Sequence, residues 1–273
     1  MKVDKSTIST NGTEIYCEVR GSGPAVLFIS GATGDAGHFE RVADALSNEF
    51  RIITYDRRGN SRSPKPAGWT ATSIQEQADD AAGLLDALGL APVGLFGTSA
   101  GGSIAVEILL RRPELVTGAI IHEPLILNPL GDQAAEVLKQ IQTTVEPAIA
   151  SGGPRAGVEA FLVLPAGSGW QDTVDSALRE RMLDNGETLF GIDFPAFARY
   201  RPADDGLAAI KAPVQVLLSQ ETALPFMVPV CNWLANLLKT EVGMLPGGHT
   251  AYLDRPEDFA AALRPRLIQA IST

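Results

Sequence analysis

The chain has 273 residues, of which 45% are hydrophobic and 20% are charged, a composition typical of a soluble globular protein with a large core. Its formal net charge of −10 disfavours nucleic acids and anionic membrane surfaces as partners, because both repel an acidic protein. The opening stretch MKVDKSTIST lacks the apolar core of a signal peptide, and no apolar run reaches the roughly 18 residues of a membrane span, so we expect a cytoplasmic protein.

Apolar, β-rich runs alternate with amphipathic runs over most of the chain. The runs that predict strands are, in chain order, EIYCEVRG, AVLFISG, RIITYD, PVGLFGT, TGAIIHE, VQVLLS and EVGMLPG. Several are apolar at consecutive positions, which is typical of strands covered on both faces in a parallel sheet. The alternation therefore predicts an α/β fold with right-handed crossovers.

Three amphipathic runs predict helices, at FERVADALSN, SIQEQADDAAGLLDALG and GGSIAVEILLRR. The second should begin with Ser73 as its N-cap, because Glu76 follows three residues later as in a capping box. It should end near Gly89, since a glycine commonly terminates a helix.

Two cysteines are too few for a disulfide framework. Cys17 lies in a predicted strand, and Cys231 lies in a run, VCNWLANLL, that predicts a helix. We expect both to be buried free thiols, which suits a reducing compartment.

The strand–helix alternation fails between residues 125 and 206, here called the inserted segment. This segment combines turn-rich stretches such as ASGGPRAG with helical pieces such as QAAEVLKQIQTTV. We interpret it as a helical insertion into a core formed by residues 1–124 and 207–273, and we expect it to roof a pocket. Its runs AFLVLP and FPAFARY, with LPFMVP beyond it, favour an apolar substrate.

The stretch Gly97-Thr98-Ser99-Ala100-Gly101 matches the pattern G-x-S-x-G, between a predicted strand and a predicted helix. A serine in this context sits on a turn so tight that its neighbours at two residues' distance must be small. The first helix amides then point at the place where a tetrahedral oxyanion would form. Ser99 is therefore the candidate nucleophile.

A serine nucleophile needs a base and an acid that orients it. His249, in a loop after the last predicted strand, is the candidate base, whereas His38 and His122 are interpreted as structural or pocket-lining residues. Two carboxylates are candidates for the acid: Glu221, after VQVLLS, and Glu123, at the end of TGAIIHE. A carboxylate at the end of a buried strand needs a partner, and an imidazole N–H would supply one.

The loop after AVLFIS should supply a second oxyanion donor. We predict the amides of Ala32 and Ala100 as the donors, with Gly31 allowing close approach of the backbone. The polar run YDRRGNSRS is interpreted as framework. No clustered His/Cys set and no G-x-G-x-x-G opening a helix occur, so we expect neither a metal nor an organic cofactor.

Together DRRGNSRS, GTSAG, HEP and LPGGH resemble the α/β-hydrolase superfamily over nearly the whole chain. The resemblance implies a mostly parallel eight-stranded sheet flanked by helices, with a helical cap inserted after strand six. More narrowly, STISTNGTEIYCE, PAFARYRP and LPGGHTAYLDRPEDFA resemble the zearalenone lactonases, which open a macrocyclic resorcylic lactone.

The narrower resemblance implies Ser99 as nucleophile, His249 as base and Glu123, rather than Glu221, as acid. It also implies an aromatic substrate contact at Phe197, where those lactonases carry tryptophan. A second departure is the alanine at position 100, where they tend to have serine. The complete set of predicted substrate contacts is Gly31, Leu125, Leu130, Phe197 and Phe226.

We therefore expect a monomeric or homodimeric serine hydrolase that cleaves an ester or lactone of an apolar small molecule through an acyl-enzyme. Other chemistries of the same triad are open at this point: a carboxylesterase, a C–C hydrolase or a cofactor-free perhydrolase. A ligand receptor that retains the triad is a further alternative of a different class.

Overall fold

A mixed sheet of eight strands organises the protein, as described by a computed structural model for residues 2–271. Its spatial order is β1-β2-β4-β3-β5-β6-β7-β8, and the strands in chain order are β1 (Val3–Thr10), β2 (Thr13–Arg20), β3 (Ala25–Ile29), β4 (Arg51–Tyr55), β5 (Val93–Thr98), β6 (Val116–His122), β7 (Val214–Ser219) and β8 (Val242–Leu245). Only the pairs β1–β2 and β2–β4 are antiparallel among these. The mostly parallel sheet predicted from the sequence is confirmed.

Helices connect and cover the strands. In chain order they are α1 (Glu40–Leu46), α2 (Ile74–Leu88), α3 (Ala100–Arg111), α4 (Gln133–Ala166), α5 (Ser176–Asp184), α6 (Gly186–Thr188), α7 (Phe194–Arg199), α8 (Asp204–Ala208), α9 (Met227–Leu238), α10 (Ala251–Asp254) and α11 (Pro256–Ile271). Short 3₁₀ turns occur at Ala36–Phe39, Pro113–Leu115, Asn128–Leu130 and Trp170–Thr173, and a π-helical turn at Leu189–Asp193.

Alternating residues of the strands pack into two apolar layers, one on each face of the sheet. In β3, for example, Leu27 and Ile29 pack into the layer that includes α2, α3 and α9. Their neighbours Val26 and Phe28 pack into the layer that includes α1 and α11. This explains why the strands are apolar at consecutive positions: both faces are covered.

The predicted ends of α2 are confirmed. The Ser73 side chain accepts a hydrogen bond from the Glu76 amide, 3.0 Å away, and Gly89 adopts the left-handed conformation with φ of 63°. Cys17 and Cys231 are buried free thiols, as predicted. The edge strand β1 was not among the predicted runs, because its polar, largely exposed residues carry little hydrophobic pattern.

Between β6 and β7 the chain forms α4 to α8; α4 to α7 fall within the inserted segment, and α8 crosses its end at residue 206. Helix α4 is broken at Gly153, whose φ is 73°, and Pro154 follows it. None of the helices within residues 2–271 is both long and apolar enough to cross a membrane.

The turn between β5 and α3 leaves no room for a side chain at Gly101. A Cβ there would overlap the carbonyl oxygen of Ile29, at the end of β3. We predict that Gly101→Ala lowers the free energy of unfolding by about 1–3 kcal/mol, since strands and helix must separate to accept the methyl group. Chemical denaturation measures this.

Gly191→Ala is the matched control, because nothing lies within 4 Å of a Cβ at Gly191 and its φ is not in the left-handed region. Its stability should equal or slightly exceed that of the unchanged protein. Equal stability of the two variants would contradict the proposed tightness of the turn.

Candidate active site

Ser99 occupies a strained turn at the end of β5. Its φ of 54° and ψ of −125° are rarely adopted by a residue other than glycine, and such strain persists only where surrounding contacts hold it. Its amide donates to the carbonyl of His122, 3.0 Å away, and its carbonyl accepts from Leu125 at 3.0 Å. A Cβ on Gly97 would lie 2.5 Å from the carbonyl oxygen of Gly101, so both glycines are required by the turn.

Glu123 follows β6 directly and has no exposure to solvent. Its Oε1 accepts a hydrogen bond of 2.8 Å from the amide of Ser219, and its Oε2 accepts one of 3.3 Å from Thr222 Oγ1. The Nδ1–H of His249 donates to the same Oε2 in a short contact. The structure therefore brings together two residues that are 126 positions apart in the chain.

The contact with His249 keeps the Glu123 carboxyl ionised. Burial alone would raise the pKa of Glu123, but the hydrogen bond and charge of His249, with smaller contributions from His122 and the Ser219 amide, lower it to about 2. A carboxylate at Nδ1 fixes the tautomer of His249 and leaves Nε2 as the nitrogen that can accept a proton.

Ser99 and His249 line the same cavity. Within residues 2–271, however, Ser99 Oγ and the His249 ring do not form a hydrogen bond. Such contacts between nucleophile and base are often loose without substrate and tighten in the reacting complex.

Glu221, the alternative acid, is placed elsewhere. Its carboxylate is 56% exposed and accepts two hydrogen bonds of 3.1 Å from the guanidinium of Arg255. Its amide donates to the carbonyl of Gly247. The structure brings Glu123, and not Glu221, to His249.

The predicted oxyanion donors lie on either side of the serine. As the first residue of α3, Ala100 has an amide that no helical carbonyl can accept. Gly31 packs against the serine so closely that a Cβ on it would lie 2.9 Å from Ser99 Cβ. Ala32 follows Gly31 and lines the cavity, and its amide has no hydrogen bond within the described part of the chain.

The cavity in front of Ser99 has a volume of about 210 Å³. Its wall is mainly apolar, and none of its lining residues is an aspartate, glutamate, lysine or arginine. The polar residues in it are Ser99, His249, His38, Gln140, Thr250 and Tyr252. A site of this chemistry favours an uncharged, apolar ligand.

Three of the five predicted substrate contacts line this cavity, namely Gly31, Leu125 and Phe226. Leu130 and Phe197 are not in the lining, and both are buried in the apolar core. Phe197 lies beneath the guanidinium of Arg57, with 5.2 Å from the Arg57 Cζ atom to the ring centre.

Sequence reasoning missed the aromatic residues that do face the cavity, among them Phe161, Phe194 and Tyr252. Phe194 and Phe197 are three residues apart in α7, so they are separated by about one helical turn. The run FPAFARY is apolar at both positions, so the sequence carried no signal for which of them faces the cavity.

His122 supports the site from beneath. Its Nδ1 is hydrogen-bonded to Thr98 Oγ1 at 2.8 Å and its Nε2 to Ser219 Oγ at 2.9 Å, and its ring stacks on His249 at 5.9 Å. Burial lowers the pKa of His122 to about 4, so the ring is neutral at pH 7. Burial likewise lowers the pKa of His38, which lines the cavity, to about 4.

No group of three or more His, Cys, Asp or Glu side chains in the described residues is arranged to hold a metal ion. The chemistry that the site offers is thus that of a serine hydroxyl, an imidazole and a buried carboxylate, with free amides on two sides of the serine.

Comparisons with known proteins identify the fold family. A family model described as alpha/beta hydrolase fold matches residues 24–256. The chain is 30% identical to an uncharacterized hydrolase, YraK, of Bacillus subtilis, over 98% of this chain and 97% of that protein. It is 28% identical to a zearalenone hydrolase of Bionectria ochroleuca, over 94% and 95%. A thermophilic esterase from Thermogutta terrifontis superposes with a TM-score of 0.78 at 23% identity, over 98% and 99%.

The depressed pKa of Glu123 predicts a specific acid sensitivity. The pKa of this carboxyl is about 2 in the folded protein and near 4.5 in an unfolded chain, so its ionisation stabilises the fold above pH 4.5. That stabilisation is lost as the pH falls from 4.5 towards 2. The free energy of unfolding of the unchanged protein should therefore exceed that of Glu123→Gln above pH 4.5, and this difference should shrink as the pH falls towards 2. Urea denaturation at successive pH values measures it.

The contrary result is a difference in the free energy of unfolding between the unchanged protein and Glu123→Gln that stays constant from pH 6 down to acid unfolding. That result would contradict the strong Glu123–His249 interaction. Glu221→Gln serves as the control, because the Glu221 carboxylate is more than half exposed and its ion pair with Arg255 lies at the surface.

Proposed function

This chain belongs to the alpha/beta hydrolase fold family, and on that premise we propose that it is a serine hydrolase that cleaves an ester or lactone bond in an uncharged, apolar substrate. The observation that carries the proposal is the contact of the buried Glu123 carboxylate with His249, beside Ser99 at the wall of an apolar cavity. The comparisons support the class of ester-cleaving hydrolase.

In the proposed reaction, Ser99 Oγ attacks the carbonyl carbon of the substrate while His249 Nε2 takes the hydroxyl proton. Glu123 stabilises the imidazolium, and the amides of Ala32 and Ala100 stabilise the oxyanion of the tetrahedral intermediate. Collapse of the intermediate breaks the C–O bond, and the imidazolium protonates the leaving alcohol. Water then attacks the acyl-enzyme with His249 as base, which releases the carboxylic acid and restores Ser99.

We propose that the inserted segment acts as a cap on a core formed by residues 1–124 and 207–273. It contributes Val137, Ile141, Phe161, Leu162, Met182 and Phe194 to the wall of the cavity. These apolar side chains would exclude water from the oxyanion and strengthen the electrostatic interactions at the reacting carbonyl.

The proposed substrate class is a neutral lactone, with a zearalenone-like resorcylic macrolactone as the specific candidate. The zearalenone hydrolase relative matches over nearly the whole length of both chains. The cavity lining has no charged side chain to pair with an anionic substrate, and its aromatic residues suit a flat, apolar ring. Phe194, rather than Phe197, is the aromatic residue proposed to contact the ring.

The purified protein is therefore expected to consume zearalenone and to form the ring-opened acid. Chromatography measures both compounds over time. Ser99→Ala should lower the rate at least about 10³-fold, because removal of the nucleophile leaves only the oxyanion site and binding. Ser103→Ala is the matched control: this serine lies in α3, four residues after Ser99, but its hydroxyl donates to the carbonyl of Leu125. It should retain activity within about threefold.

Three other results would change the proposal in different ways. Serine-dependent cleavage of a nitrophenyl ester without loss of zearalenone would retain the hydrolase and discard the macrolactone. Equal activity of Ser99→Ala and the unchanged protein would contradict the mechanism. Failure to cleave either compound would favour a receptor that retains the triad.

The two candidate acids are separated by a second pair of variants. Glu123→Gln should lower kcat about 10²- to 10⁴-fold with little change in KM, because an amide favours the wrong tautomer of His249. Glu221→Gln should leave kcat within about twofold, since its partner is the exposed Arg255. Steady-state kinetics on the same ester decides, and the reverse order of effects would assign the acid to Glu221.

A further inference from the structure

We propose that the inserted segment positions the oxyanion loop, defined as residues 31–35, so that seating of the cap and assembly of the oxyanion site are one event. The residues assigned to this positioning are Asn185 and Asp193 of the inserted segment and Arg57 of the core. This inference rests on the proposed function, because it takes the Ala32 amide as an oxyanion donor.

Alternate residues of the oxyanion loop accept hydrogen bonds from side chains outside the loop. The carbonyl of Gly31 accepts a hydrogen bond of 3.0 Å from Arg57 Nη2. The carbonyl of Thr33 accepts one of 2.7 Å from Asn185 Nδ2. The carboxylate of Asp35 accepts bonds of 2.7 and 3.1 Å from Arg181, which, like Asn185, belongs to the inserted segment.

Arg57 is itself held by the inserted segment. Its Nη1 donates to Asp193 Oδ2 at 2.8 Å, and both side chains are almost completely buried. The other oxygen of Asp193 accepts a 3.0 Å bond from Gln77 of the core. The Arg57 guanidinium thus joins the Asp193 carboxylate to the carbonyl of Gly31, next to Ala32. Because a guanidinium is planar and its hydrogen bonds to a carboxylate are charge-assisted, this contact holds the groups in a defined orientation and is stronger than a neutral hydrogen bond.

Asn185 stabilises strained backbone in two core loops at once. Thr33 is β-branched and has a φ of 60°, and Ser61 has a φ of 51°. The Asn185 amide donates to the carbonyl of Thr33 and to Ser61 Oγ, at 2.7 and 2.9 Å, while its Oδ1 accepts from the amide of Ser61 at 2.6 Å. Left-handed conformations at such residues persist only when neighbouring contacts determine them.

Ala32 lies between the two tethered carbonyls of Gly31 and Thr33. Loss of either tether lets the peptide plane that carries the Ala32 amide rotate or shift. A misplacement of about 1 Å costs roughly 10²-fold in rate, and loss of one oxyanion donor costs about 10²- to 10³-fold. The tethers therefore matter for the transition state more than for substrate binding, since most of the apolar cavity wall lies outside the oxyanion loop.

The test compares Asn185→Ala and Asp193→Asn with the unchanged protein. Asn185→Ala removes no charge and remains informative if Asp193→Asn, which leaves Arg57 buried without its counter-ion, fails to fold. The readouts are kcat and KM for a nitrophenyl ester, and the Kd of an arylboronic acid measured by calorimetry. A boronic acid forms a tetrahedral adduct with the serine and so probes the oxyanion site without turnover.

Each variant should lower kcat about 10- to 100-fold and raise the Kd of the boronic acid by a similar factor, while KM should change less than about threefold. Tyr200→Phe is the matched control. Tyr200 Oη, also in the inserted segment, donates a buried 2.8 Å bond to Glu107 of α3, far in sequence from the oxyanion loop. Tyr200→Phe should lower the melting temperature, because it removes a buried hydrogen bond, while kcat and the Kd of the boronic acid stay within about twofold of the unchanged protein.

The inference is overturned if both folded variants keep kcat and boronic acid affinity, or if Tyr200→Phe lowers them as much, because the effect would then be general loosening of the cap. A rise in KM with unchanged kcat would also overturn it. Failure of the proposed function is a separate result: the unchanged protein would then cleave no ester, while boronic acid affinity still reports on the tethers. Absence of boronic acid binding to the unchanged protein overturns both.

Discussion

A carboxylate without solvent exposure, that of Glu123, is the constraint around which the end of the sheet is arranged. A buried charge costs several kcal/mol unless it is paired and hydrogen-bonded. The compensation comes from the ends of neighbouring strands: the amide of Ser219, the last residue of β7, and His249 from the loop after β8. Because the carboxyl ends of parallel strands meet at one edge, these groups converge near Ser99, which directly follows β5.

A second set of charges joins the inserted segment to the core. It combines the buried pair of Arg57 and Asp193 with the pair of Asp35, which is buried, and Arg181, which is partly exposed. Buried ion pairs contribute little net stability relative to apolar packing, but loss of one partner is strongly destabilising. Their value here is geometric, because they hold the loop beside the serine in one arrangement. The polar run YDRRGNSRS, interpreted from the sequence as framework, supplies Arg57 to this arrangement.

The pattern of the sequence predicts the parallel sheet, the helices that flank it and the strained turn at Ser99, because each depends on local periodicity or on small residues at fixed spacing. The choice between Glu123 and Glu221 depends on which strand end faces His249, and both residues follow a strand. The position of Phe197 depends on how α7 is rotated over the core. The Arg57–Asp193 pair joins residues 136 positions apart, and no local pattern in the sequence marks such a contact.

The proposed reaction depends on Ser99 as a nucleophile activated by His249. Incubation of the folded protein with a fluorophosphonate, followed by digestion and mass spectrometry of the peptides, tests this activation without knowledge of the substrate. We expect one phosphonyl group per chain, located on Ser99, and much slower labelling in a folded His249→Ala variant. Labelling at another residue, or an unchanged rate in His249→Ala, would show that Ser99 is not activated by His249.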